Sequence, residues 1–138
     1  MAGQEFSLNI AAWCEKAKDR ADLVVRKVAL DIGSRVVLRS PVDTGRFRAN
    51  WQYGVGQPNT ATLETIDKSG QSSIQRIASG AATARLGDVI YVSNSLPYAL
   101  RLEAGSSKQA PAGMVGLAVA DFQAAVDRSA AAARAEVP

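Results

Sequence analysis

The side chains able to do chemistry in this 138-residue sequence are few, and their types argue against catalysis. A serine nucleophile needs a base within hydrogen-bond reach, and the chain has no histidine to supply one. No S-x-x-K pair offers a lysine instead. The serines sit in Gly-rich turns, where a hydroxyl ordinarily caps the backbone. The lack of histidine also removes imidazole triads and the usual zinc and iron ligand sets. Metal binding through oxygen needs several carboxylates together, and Glu64, Asp67 and Asp88 are too scattered. The G-V-G at 54–56 is a fragment of a phosphate cradle and reads as turn flexibility. No residue is therefore assigned to catalysis, to a cofactor or to a metal.

The single cysteine, Cys14, excludes an intramolecular disulfide. Trp13 beside it is expected to face the core. Cys14 then reads as a buried structural thiol, because no cationic neighbour or helix N-terminus would activate it. Arg46, Arg48, Asn50 and Gln52 form the polar face of a predicted strand. That face is either simply solvated or a docking surface, since arginine is favoured at interfaces and tolerates desolvation better than lysine.

Composition sets the frame for these residues. The chain is 47% apolar and 21% charged, as expected of one folded domain with a real core. It carries 16 Lys+Arg against 13 Asp+Glu, a formal +3. Nine basic and six acidic residues lie in the first 50 positions (9 − 6 = +3), and the remainder is neutral. This mild excess lacks the concentrated stripe of a duplex-DNA binder. The start, MAGQEFSLNI, is not a signal peptide, and no apolar run reaches the ~20 residues of a membrane span. Synthesis in a reducing cytoplasm is expected.

The elements follow from periodicity. Ile10, Trp13, Ala17, Ala21, Val24, Val25, Val28, Ile32 and Val36 repeat at helical spacing, with Lys16, Asp19, Arg20, Arg26 and Arg35 on the solvated side. A helix over about 8–39 is predicted, stopped by Pro41. After the VDTG turn the period becomes two: Phe47, Ala49, Trp51, Tyr53 and Val55 alternate with the polar set. TATLETI is expected to return as the second strand of a hairpin. A short helix carries Ile74, Ile77, Ala78 and Ala81, so hairpin and helix together occupy about 46–86. DVIYVS reads as a strand. Ser95 is expected to cap a short helix with Pro97 first and Gly105 past its end. SSKQAPAG reads as polar and flexible, the strand and loop covering about 88–111. A C-terminal helix spans about 112–134, with Met114, Leu117, Ala118, Phe122, Ala125, Val126, Ser129 and Ala133 on one stripe. The expected architecture is a single α+β domain: two long terminal helices on an antiparallel sheet of three or four strands, with short helices between.

The string SPVDTGRFRANW, following a long amphipathic helix, resembles the start of the small tail-component family of tailed bacteriophages and prophages. These are head–tail joining, neck or tail-completion proteins, the "gene product ten"-like family. VIYVSNSLPYALRLEAGSSKQAPAGMV and the later VADF resemble the second half of that pattern, in the same order, so the likeness covers about 10–125. It implies a non-enzymatic virion protein in the head–tail connector, made in the bacterial host cytoplasm. Its implied partners are further copies of itself in a ring, the adjacent head-connector and tail (terminator or tube) proteins, and double-stranded DNA passing without sequence-specific binding. No membrane is involved. Pro41, Asp43, Thr44, Gly45 and Trp51 then read as helix stop, tight turn and core anchor. Tyr98 and Glu103, with Gly105, suit a rigid short helix at a subunit contact, and Arg46, Arg48, Asn50 and Gln52 join them as candidate contacts. The basic N-terminal third supports an alternative, a nucleic-acid-associated accessory or regulatory protein. Steep salt dependence of DNA binding would be its signature.

Overall fold

The computed structural model describes the backbone of residues 2–137 and the side chains of residues 12–137. Among these residues the order is α1 (Ala2–Arg39), α2 (Arg46–Ala49), β1 (Gln52–Val55), α3 (Gln71–Ala81), β2 (Ile90–Ser93), α4 (Ala99–Glu103), α5 (Val115–Ala120) and α6 (Phe122–Glu136). The fold is α+β, with a long helix at each end and one small antiparallel sheet.

The 38 residues of α1 span about 57 Å at the helical rise. Its second half packs against α3, α5 and α6. Ion pairs of Lys27 with Glu136, of Asp31 with Arg128, and of Arg39 with Asp121 fasten it to the C-terminal helices. Helix ends leave carbonyls without intrahelical donors. Here Val36 O accepts from Ser40 Oγ, Val37 O from Ser40 N, and Leu38 O from Arg48. The core gathers around this end: Val36, Val37, Phe47, Trp51, Ile77, Leu96 and Met114 are buried together. Phe47 and Trp51 meet edge to face at 5.8 Å, an arrangement the ring quadrupoles favour.

Several expectations change. The first helix begins at Ala2 rather than near residue 8. Trp13 is 70% exposed and Cys14 is exposed, so neither is the core residue expected. The cause is length. The C-terminal helix ends where Val137 O accepts from Arg20 Nε at 2.8 Å, and side chains 12–16 beyond it are all exposed. Ile10 lies outside the described side chains. Arg20 and Arg26, expected in solvent, are half-buried, and Arg26 donates to Ala84 O at 2.7 Å.

The predicted strand from residue 47 starts instead as the helical turn α2, and only Gln52–Val55 is extended. TATLETI forms no strand, and β1 pairs with β2 in a sheet of two strands, not three or four. Side chains replace the missing ladder. Asn50 accepts from Leu63 N at 2.6 Å and donates to Leu63 O at 3.0 Å, while Gln52 donates to Ala61 O at 3.3 Å. The short helix ends at Ala81, short of Gly87. α4 starts after Tyr98, not Ser95; the turn before it is held by Asn94, whose Oδ1 accepts from Leu96 N. The C-terminal helix breaks at Asp121, the residue that Arg39 holds, giving α5 and α6. On its stripe Met114, Ala118, Ala125, Ser129 and Ala133 are buried, whereas Leu117 and Phe122 are exposed.

Candidate assembly site

Two concave surfaces stand out, one polar and one apolar. The polar one is built where the two distant strings noted above meet. Pro41 ends α1 and the chain reverses at Gly45, whose φ of +94° lies in the left-handed region that glycine enters without strain. Gly45 O accepts from both Ala49 N and Asp67 N at 3.0 Å, tying α2 to the loop before α3. A Cβ at Gly45 would lie 2.8 Å from Lys68 N, so a side chain is excluded sterically as well. Opposite this turn, Gln109 accepts from Val42 N at 2.9 Å and donates to Val42 O at 3.1 Å. Pro41, Thr44, Arg46, Tyr98, Ser107 and Gln109 line a depression of about 270 Å³. The segment expected to be flexible, SSKQAPAG at 106–113, is thus anchored: Gln109 is bonded at both ends of its amide, and Ala110 and Gly113 are buried.

The candidate contact residues separate in this geometry. Asn50 is fully buried and Gln52 is buried, so the polar strand face expected of them does not exist. Arg48 is half-buried and donates to Leu38 O, Ser40 O and Lys68 O at 2.7 to 3.0 Å. Arg46 reaches Leu63 O and pairs with the exposed Glu64. Tyr98 is half-buried and stacks at a tilt on Phe47, 6.0 Å between ring centres. Glu103 turns its carboxylate onto the start of α5 and accepts from Met114 N and Val115 N on Oε1 and from Gly116 N on Oε2. Partial burial pushes the Glu103 pKa up. The three N–H bonds, from Gly116, Met114 and Val115, outweigh that and hold it below the ordinary value. Of the six, Arg46 and Tyr98 line the depression.

Sequence reasoning missed Gln109, Asn94 and Arg76 as structural ties. Asn94 donates to Phe47 O at 2.9 Å, and Arg76 donates to Ala49 O at 2.6 Å. Gln109 and Asn94 stand inside the quoted strings. A polar side chain in a string otherwise made of turn residues was the available signal.

The apolar surface is a groove of about 680 Å³ between α1, β2 and the C-terminal helices. Val24, Val28 and Ile32 form one wall, Val92 the floor, and Val119 and Phe122 the lip. Val119 is 70% exposed and Phe122 52% exposed. Asp88 is the single charged residue on the lining. With so few polar groups the groove cannot orient a polar small molecule, but it suits an apolar helix face. Among the described residues no cluster of three acidic or sulfur ligands could hold a metal, and no helix is long and apolar enough to cross a membrane. No known family model, curated protein or solved structure matches the chain.

Proposed function

We propose that the chain is a structural, non-enzymatic subunit of a tailed-phage or prophage virion, acting as a ring at the head–tail joint through which DNA passes. The observation that carries this reading is the joining of the two resembling strings. Residues 41–47 and 98–109, far apart in the chain, line one depression and are locked by the Gln109–Val42 bonds. The open apolar groove adds to it, because monomers rarely leave large contiguous apolar surface uncovered.

The alternative, a nucleic-acid-associated accessory protein, draws less support from the basic N-terminal third than the charge count suggests. Of the nine basic residues in the first 50, Arg20, Arg26, Lys27, Arg35, Arg39, Arg46 and Arg48 bond to carbonyls or carboxylates of this chain. Of these, Lys27, Arg35, Arg39 and Arg46 pair with carboxylates, which offsets part of the basic excess that phosphate binding would use.

The test is the particle itself. Induction of a phage with an early stop codon in this gene should give DNA-filled heads and finished tails left unjoined, and antibody label should sit at the joint of normal virions. Normal virions from the stop mutant, or label elsewhere on the particle, would overturn the reading.

A further inference from the structure

Resting on that reading, we infer that the apolar groove of each subunit is filled by the N-terminal arm of α1 from a second copy, with Trp13 as the anchor. The arm is the part of α1 before Arg20, where the body of the molecule stops. Trp13 is 70% exposed, and tryptophan is among the residues that most often anchor an interface.

The occupant cannot be the chain's own arm. α1 runs unbroken from Ala2 to Arg39, and Val24, Val28 and Ile32 on that same helix form the groove wall. The helix axis therefore carries the arm away from the groove it helps to build. Only another copy can present its arm there.

Dimensions and charge agree with this occupant. The wall from Val24 to Ile32 runs about 12 Å and takes about two helical turns, which an arm of residues 2–19, about 27 Å long, more than spans. Lys16, on the solvated side of the apolar stripe, lies three residues after Trp13 and so stands next to it at the edge of that stripe, about 60° round the helix. An indole with one ammonium at its flank matches an apolar groove whose lining has one carboxylate, Asp88. Arm into groove is a heterologous contact, different on the two partners, and repeating it closes a ring when the rotation allows.

The test uses the full chain in solution. Sedimentation of the wild type at high micromolar concentration should show oligomers. Trp13→Glu on the arm and Phe122→Glu at the groove lip should each weaken association about thirtyfold or more, as expected for a central aromatic contact, with thermal melting unchanged. If Phe122→Glu melts early, Val119→Ser at the more exposed lip position takes its place. An equimolar mixture of the arm variant and the groove variant should form dimers and nothing larger, because one intact arm meets one intact groove. A monomeric wild type, single variants that associate like wild type, or a mixture no better than its components would each overturn the arrangement. So would a photoreactive side chain at position 13 that cross-links to another arm instead of β2, α5 or α6. None of these outcomes bears on whether the protein sits at the head–tail joint, which particle microscopy decides separately.

Discussion

Gln109 and Val42 close a two-bond ring, in which the side-chain amide of one imitates a β-bridge partner for the backbone of the other. It joins the turn after α1 to the segment before α5, across 67 residues of sequence. Gln109→Ala should cost about 0.5–1.5 kcal/mol per lost bond at most, since both groups regain water. Chemical denaturation should show a lowered midpoint with an unchanged slope. A midpoint equal to wild type would mean that the ring is ornamental.

Trp51 is the aromatic whose loss should be felt most. It is 3% exposed, and its Nε1 donates at 2.7 Å to Ser40 Oγ, which itself donates to Val36 O. Truncating a buried aromatic costs about 3–5 kcal/mol, a large share of a total stability of about 5–15 kcal/mol. Trp51→Phe keeps most of the volume and isolates the hydrogen bond, so its loss should be nearer 1 kcal/mol. Similar melting temperatures for the two variants would show that packing around the indole contributes little.

The long helices, the anchoring by Trp51 and the helix stop at Pro41 were legible because each depends on local periodicity or on backbone chemistry. What eluded the sequence depends on distant partners. Alternation over Phe47, Ala49 and Trp51 did mark buried positions, but the backbone reaches that burial through a helical turn, because Gly45 reverses the chain and Asn50 bonds sideways to Leu63. Trp13 fits the apolar stripe of α1, yet among the described residues no element packs over it. Of the candidate contacts, the four polar residues from 46 to 52 proved to be tied to their own chain, and only the structure could show that.

Arg46 and Arg48 should therefore part company under mutation. On a solvated strand face, Glu at either site would shift stability by only about 0.5 kcal/mol. Arg48 instead satisfies carbonyls at the end of α1 and at Lys68, and charged donors of this kind contribute about 1.5–3 kcal/mol. Arg48→Glu should destabilise by that order, whereas Arg46→Glu should cost under about 1 kcal/mol because its ion pair with Glu64 is exposed. Equal losses in thermal melts would contradict the assignment.

Gly80 tests the packing of α3 on the sheet. A Cβ there would overlap the ring of Tyr53 on β1. An alanine ordinarily favours a helix by about 1 kcal/mol over glycine, so propensity alone predicts that Gly80→Ala stabilises α3. Overpacking typically costs about 1–3 kcal/mol and should win. A higher melting temperature for Gly80→Ala would show that Tyr53 moves aside freely.

Glu103 gives the pH dependence a sign. Burial raises its pKa, but the N–H groups of Gly116, Met114 and Val115 favour the carboxylate more, so the folded-state pKa lies below the unfolded one. A depressed carboxylate contributes stability that is present above the unfolded pKa of about 4.3 and is lost as pH falls through the folded value. Asp67 behaves alike: burial raises its pKa, yet bonds from Ser73, Gly70 and Ser69 leave it lowered. Below about pH 4 both groups therefore weaken the fold as they protonate. Glu103→Gln keeps an acceptor oxygen but removes the charge at the start of α5, which should cost about 1 kcal/mol at neutral pH, as for loss of a helix cap. The diagnostic is the difference between variant and wild type across pH. It should be largest at pH 7 and shrink towards zero in acid, where the wild-type carboxyl is itself neutral. Parallel stability curves for the two proteins down to pH 3 would show that the Glu103 charge does not hold α5.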